Sequence, residues 1–167
     1  MLECGQSALC GHSRLEKVNH QEYGTNMSEL PTRVDFSPAA QDLLRKLYSI
    51  HKCDFMFHQS GGCCDGSAPM CYQAGEFRVA GQDVLMQVIQ VDGIPAPIPF
   101  YMSLEQFEYW RHTHLTIDAV PGRGSGFSME SPEGMRFLTR SRLLTDQEYQ
   151  LLKDSPVTLG SGDLAVL

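Results

Sequence analysis

Cys53-Asp54-Phe55-Met56-Phe57-His58-Gln59-Ser60-Gly61-Gly62-Cys63-Cys64-Asp65-Gly66-Ser67 changes character halfway along. The first half alternates as a strand, with Cys53, Phe55 and Phe57 on one face and Asp54, Met56 and His58 on the other. The second half lacks bulky side chains and is rich in glycine, so its backbone can turn tightly and bring polar groups together. Three of the chain's six cysteines, Cys63, Cys64 and Cys71, fall within nine residues here. A packed core is not built from such a composition, so the segment points to thiol or metal chemistry. Cys53, among the aromatic residues of the strand, reads instead as a buried, inert thiol.

Adjacent cysteines carry a geometric constraint. Neighbouring Cα atoms lie about 3.8 Å apart, whereas disulfides usually span roughly 4.4–6.8 Å. A Cys63–Cys64 bridge is therefore strained and easily reduced. In an extended strand the two thiols would face apart; only a turn brings them together, and Gly61-Gly62 and Asp65-Gly66 are turn formers. Two chemistries follow. As ligands, Cys63, Cys64 and Cys71, with His58 and the pair His112 and His114, form a sulfur–imidazole set that suits zinc, iron or copper. As catalysts, Cys63 or Cys64 acts as nucleophile or redox thiol, with His58 completing a thiolate–imidazolium pair.

His112-Thr113-His114 places two imidazoles at strand period, hence on one face if the strand includes both; the alternative is a solvated polar face. Gly122-Arg123-Gly124-Ser125-Gly126 is a turn and not a dinucleotide fingerprint, because no helix and ribose-binding acid follow. Arg136, Arg140 and Arg142 share a strand face and either hold an anion or make surface ion pairs. Serine-hydrolase chemistry finds no Gly-x-Ser-x-Gly elbow in this chain.

The 167 residues suit one domain. A hydrophobic share of 42% and a charged share of 20% are those of an ordinary globular protein. The net charge of -7 disfavours nucleic acid and anionic lipid as partners. No apolar run is long enough to span a bilayer, and the first residues resemble no signal peptide. The expected location is the cytoplasm, where thiols stay reduced and clustered cysteines serve as ligands or reactive groups.

Residues 1–31, which include Cys4, Cys10 and His12, read as a disordered extension or as sequence ahead of a start at Met27. Residues 32–153 read as a single α+β domain, and 154–167 as a flexible tail. Helices are expected near 38–50, 104–110 and 146–153. Ser37-Pro38 opens the first, with Ala40, Leu43, Leu44 and Leu47 as its buried stripe. Ser103 with Gln106, and Thr145 with Glu148, are capping signals for the other two. Strands are expected at 34–36, 53–58, 76–79, 83–91 and 113–120. A hairpin is expected to join 127–131 to 136–143 across Pro132-Glu133-Gly134. Pro95, Pro97 and Pro99 read as a stiff connector outside any sheet interior. Phe107, Tyr109 and Trp110 form an aromatic contact patch, or else Phe107 and Trp110 plug the core.

The run from Phe57 to Ser67 resembles the signature of a small bacterial domain family of unknown function. So do Phe107-Glu108-Tyr109-Trp110, the run from Gly122 to Glu130, and the run from Arg136 to Arg142. Members of that family tend to be encoded beside acetaldehyde or alcohol dehydrogenases. The resemblance therefore implies a role in aldehyde metabolism, with an aldehyde or alcohol dehydrogenase as partner. A fainter similarity is to the HesB-like A-type iron–sulfur carriers, through Gly61-Gly62-Cys63, Ile117-Asp118 and Gly126-Phe127. It implies a compact β-rich fold; the Cys-x-Cys pair that ends those carriers is missing here, since no cysteine follows Cys71.

Overall fold

A computed structural model describes residues 30–124 and 126–167; the expectations for Cys4, Cys10 and His12 lie outside them. The chain begins with β1 (Val34–Phe36) and α1 (Pro38–His51), then forms β2 (Phe55–Gln59) and β3 (Met70–Gln73). β4 (Val84–Ile89), β5 (Ile98–Met102), α2 (Leu104–Trp110) and β6 (Thr113–Pro121) follow. β7 (Met135–Leu143), α3 (Asp146–Leu152), β8 (Val157–Leu159) and β9 (Leu164–Ala165) complete the domain. The fold is α+β, with two sheets: β1-β6-β7, and the mixed six-stranded β3-β2-β5-β4-β8-β9.

Local chemistry accounts for the helices. Ser37 caps α1 by accepting the Ala40 N–H, and Pro38 supplies a preset φ at its first turn. The Ser37 hydroxyl also donates to Asp118 of β6 at 2.6 Å, which ties the helix start to the smaller sheet. Ala40, Leu43, Leu44 and Leu47 are buried as one stripe. Thr145 and Glu148 form a reciprocal capping box on α3. At α2 only half of that device forms: Ser103 accepts from Gln106 N, while the Gln106 side chain instead accepts from the Trp110 indole. Phe107 and Trp110 are buried and Tyr109 is exposed, so the first two belong to the core.

β2 is buried on both faces, as expected of a strand covered on each side. Phe57 meets Phe100 of β5 in its own sheet and Phe36 and Phe137 of the opposite sheet, at centroid distances of 5.0–5.9 Å. This aromatic knot joins the two sheets.

Four expectations give way. Residues 76–79 form the end of a turn and irregular backbone, not a strand. Pro99 lies inside β5, in the sheet interior; it pairs with Val88 of β4, but the β2 register starts one residue later at Phe100. A missing N–H on the β2 side thus costs no ladder bond. Residues 127–131 form no strand, because the polar Ser128 and Glu130 are the buried side chains while Phe127 is 88% exposed. The hairpin partner of β7 is β6, paired from Thr113↔Leu143 to Pro121↔Met135. Finally, the segment expected to be a flexible tail contains β8 and β9, with β8 hydrogen-bonded to β4. Backbone pairing with β4 holds this short stretch, and no long periodic pattern announces that.

The Glu130 carboxylate, between β6 and β7 in the chain, is buried. It accepts from the Ser128 hydroxyl and, at 3.4 Å, from Phe137 N, while Ser128 accepts from Cys71 N at 2.8 Å. Burial raises its pKa above the ordinary 4.5, outweighing those hydrogen bonds. A carboxyl with a raised folded-state pKa binds more protons folded than unfolded. Its contribution is therefore fullest below pH 4.5 and is lost as pH rises through the folded value. Urea unfolding across pH should show this decline, and Glu130→Gln should remove it. Truncation after Pro156 tests the C-terminal strands. Losing buried Val157 alone removes about 1.5–3 kcal/mol, so the melting temperature should fall by about 3–12 °C. An unchanged value would mean that β8 contributes nothing.

Candidate functional site

Residues 60–69 connect β2 to its antiparallel neighbour β3 and carry Cys63 and Cys64, both exposed. The turn expected from glycine is present: Gly62 has φ +108° and Gly66 φ +90°, values that side-chain-bearing residues rarely adopt. A Cβ at Gly62 would also lie 2.3 Å from the Ser67 hydroxyl.

This loop is clamped from several sides. The Trp110 indole N–H donates to Gly62 O at 3.1 Å, which places α2 beneath the first turn. Asp65 Oδ1 accepts from both the backbone N–H and the hydroxyl of Ser141, at 2.8 and 2.5 Å. Gly66 N donates to Thr139 O at 2.8 Å, and Thr139 N donates to Ser67 O at 2.7 Å. The loop therefore continues the ladder along the free edge of β7. Cys64 O accepts from the amide and the hydroxyl of Ser67, at 3.1 and 2.6 Å, closing the turn around the thiols. Beneath it Gln59 Oε1 accepts from the Thr139 hydroxyl at 3.0 Å. Two exposed sulfurs thus stand on backbone held by α2 and β7.

The other expected site residues lie elsewhere. Cys71 is fully buried in β3, and burial, with the nearby Glu130 carboxylate, pushes its thiol well above the ordinary value. His58 is buried in β2 with both ring nitrogens engaged: Nδ1 lies 2.8 Å from Ser60 Oγ and Nε2 3.0 Å from Asp83 Oδ2. The Phe77 ring lies 4.5 Å from its centroid. His112 is exposed in the turn before β6, near the Tyr149 ring, whereas His114 is buried and its Nε2 faces Asp35 at 3.0 Å. The strand begins at Thr113, so the same-face argument for the two histidines does not apply. Among the described residues no group of three or more His, Cys, Asp and Glu stands close enough to hold a metal ion. Two of the three arginines expected on the face of β7 make ion pairs, Arg140 with Asp118 and Arg142 with Glu148.

Sequence reasoning missed the partners. Asp65, Thr139 and Ser141 hold the loop, and Ser60 and Asp83 hold His58. Ser60 and Asp65 lie in the quoted run, but nothing in it indicates which distant residue each meets. Asp83 lies 25 positions beyond His58, in the turn leading into β4.

The fold and the loop together define an α+β domain that presents a clamped vicinal dithiol. The family model described as a domain of unknown function, DUF779, matches residues 43–143, more than half of the chain, and the protein belongs to that family. The matched span contains β2, the dithiol loop, α2 and the β6–β7 hairpin. No curated protein and no solved structure matches the chain. No helix among the described residues is long and apolar enough to cross a membrane.

Exposure separates Cys63 and Cys64 from Cys71. Iodoacetamide applied to the folded protein should modify Cys63 and Cys64, as read by peptide mass spectrometry, while Cys71 reacts only after denaturation. Equal modification of Cys71 under native conditions would contradict its burial.

Proposed function

We propose that this protein is a thiol-reactive accessory protein of aldehyde metabolism, with Cys63 and Cys64 as its working groups. The observation that carries this reading is the exposure of two adjacent thiols on a loop clamped by Trp110, Thr139 and Ser141. A loop with no chemical task has no need to expose two thiols on so constrained a backbone. The link to aldehydes rests on the resemblance to domains encoded beside acetaldehyde and alcohol dehydrogenases.

The chemistry is reversible addition. One thiolate attacks the carbonyl carbon and an S–C bond forms. The carbonyl π electrons move to oxygen, which takes up the proton that the thiol lost. The product is a thiohemiacetal, and nothing is oxidised or reduced. The neighbouring thiol can then displace the hydroxyl as water to give a dithioacetal. The role would be to hold a reactive aldehyde for a partner dehydrogenase.

The adjacency of two soft sulfur donors also supports metal uptake, with zinc, iron or copper as candidates. An ion held there would take its remaining ligands from a small molecule or a partner protein.

Reduced protein titrated with 13C-acetaldehyde should show a saturable thiohemiacetal resonance, at one adduct per chain. The affinity should exceed that of a free peptide covering residues 60–67 by about tenfold, which corresponds to about 1.4 kcal/mol. The Cys63→Ser/Cys64→Ser variant should lose it. An affinity no greater than that of the peptide overturns the aldehyde reading. Stoichiometric zinc or copper(I) binding that is lost in the same variant would favour the metal reading instead.

A further inference from the structure

Ser60, His58 and Asp83 form a hydrogen-bonded chain that the dithiol reading does not use. We infer that it is a second, acyl-transfer site, with Ser60 as nucleophile, His58 as general base and Asp83 as the group that orients and charge-stabilises the imidazole. Its substrate class is a small activated acyl compound, an ester or thioester.

The proton positions follow from chemistry. An ionised Asp83 can only accept, so His58 Nε2 carries the hydrogen that bridges the 3.0 Å gap. The neutral ring then has its lone pair at Nδ1, 2.8 Å from Ser60 Oγ, and the hydroxyl donates to it. This is the order nucleophile, base, orienting carboxylate, recognised by geometry and not by a sequence elbow. Asp83 is itself fixed, since Oδ2 also accepts from Ala80 N at 2.8 Å. His58 and Asp83 are 4% and 5% exposed, so the base works in a dry setting, while Ser60 is exposed at the end of β2 where a substrate can reach it.

The backbone beyond Ser60 suits the reaction. The N–H groups of Gly61, Gly62, Cys63 and Cys64 donate to no group among the described residues. Around Gly61 nothing stands within 4 Å of where a Cβ would be, so an acyl group has room beside the serine. Unengaged amides following a nucleophile are the donors from which an oxyanion site is built.

Ser60 Oγ bonds to the acyl carbon as its proton passes to His58 Nδ1, and the carbonyl electrons move to oxygen. Collapse of the tetrahedral adduct breaks the bond to the leaving alcohol or thiol, which takes the proton back from His58. Water, deprotonated by the same imidazole, then releases the carboxylic acid and regenerates Ser60.

The test uses full-length protein carrying Cys63→Ser/Cys64→Ser, so that thiols cannot take the label and the outcome is independent of the dithiol reading. A fluorophosphonate probe should attach once per chain at Ser60, located by peptide mass spectrometry. The rate should fall at least about 100-fold when the chain is unfolded in urea, matching the usual contribution of a positioned base. Ser60→Ala should abolish labelling while the chain still folds cooperatively, its melting temperature lowered by no more than the loss of the one hydrogen bond to the His58 ring. Asp83→Asn, whose carboxamide oxygen can still accept from Ala80 N, should slow it about 100-fold in folded protein. Absence of label at Ser60 in the folded protein overturns the proposal, as does labelling at an undiminished rate in folded Asp83→Asn.

Discussion

Phe57 packs against Phe100 within its own sheet and against Phe36 and Phe137 across the interface, and the architecture depends on that contact. The two sheets share no strand. What keeps them in register is apolar burial centred on a strand covered on both faces, with ring pairs adding edge and offset contacts worth about 0.5–1.5 kcal/mol each beyond area. β2 therefore leaves the core in a fixed direction, and His58, Ser60 and the cysteine loop inherit their positions from it.

The loop shows how a glycine-rich segment is made specific. Glycine allows the turn but does not choose it, because the freedom that permits positive φ permits many alternatives. The choice comes from outside: an indole from α2, two hydrogen bonds from Ser141 to Asp65, and backbone pairing with Thr139. These partners lie about 48 to 76 positions away along the chain. Ordering a flexible loop costs backbone entropy, and the hydrogen bonds that also protect the edge of β7 oppose that cost in part. Packing of α2 and formation of the β6–β7 hairpin thus precede the loop logically: without them the two thiols have no defined geometry.

Burial then divides groups of similar chemistry. Cys71 and the Cys63–Cys64 pair lie seven residues apart, yet one thiol is sealed beside a buried carboxylate and the others face solvent. His58 and His114 each lie against an aspartate inside the domain, whereas His112 sits on the surface. A ligand set drawn from residue type alone joined all six groups. The fold separates them, because strand alternation, the start of β6 and the exit from β2 send them to different places.

Periodicity and capping residues determined the elements that depend on neighbours along the chain. The stripe Ala40, Leu43, Leu44 and Leu47, the caps at Ser37 and Thr145, the inward faces of β2 and β6, and the turn around Cys63 and Cys64 were all legible, since each needs only contacts within a few residues. Pro99 within β5, the pairing of β8 with β4, the burial of Ser128 and Glu130 in place of Phe127, and the chain from Ser60 through His58 to Asp83 were not. Each of these depends on a partner far away in sequence, and a one-dimensional pattern carries no record of which distant edge, carbonyl or carboxylate will be near. Tertiary structure alone decided them, because the polar and apolar contacts that select them form only after long loops have closed at an entropic cost.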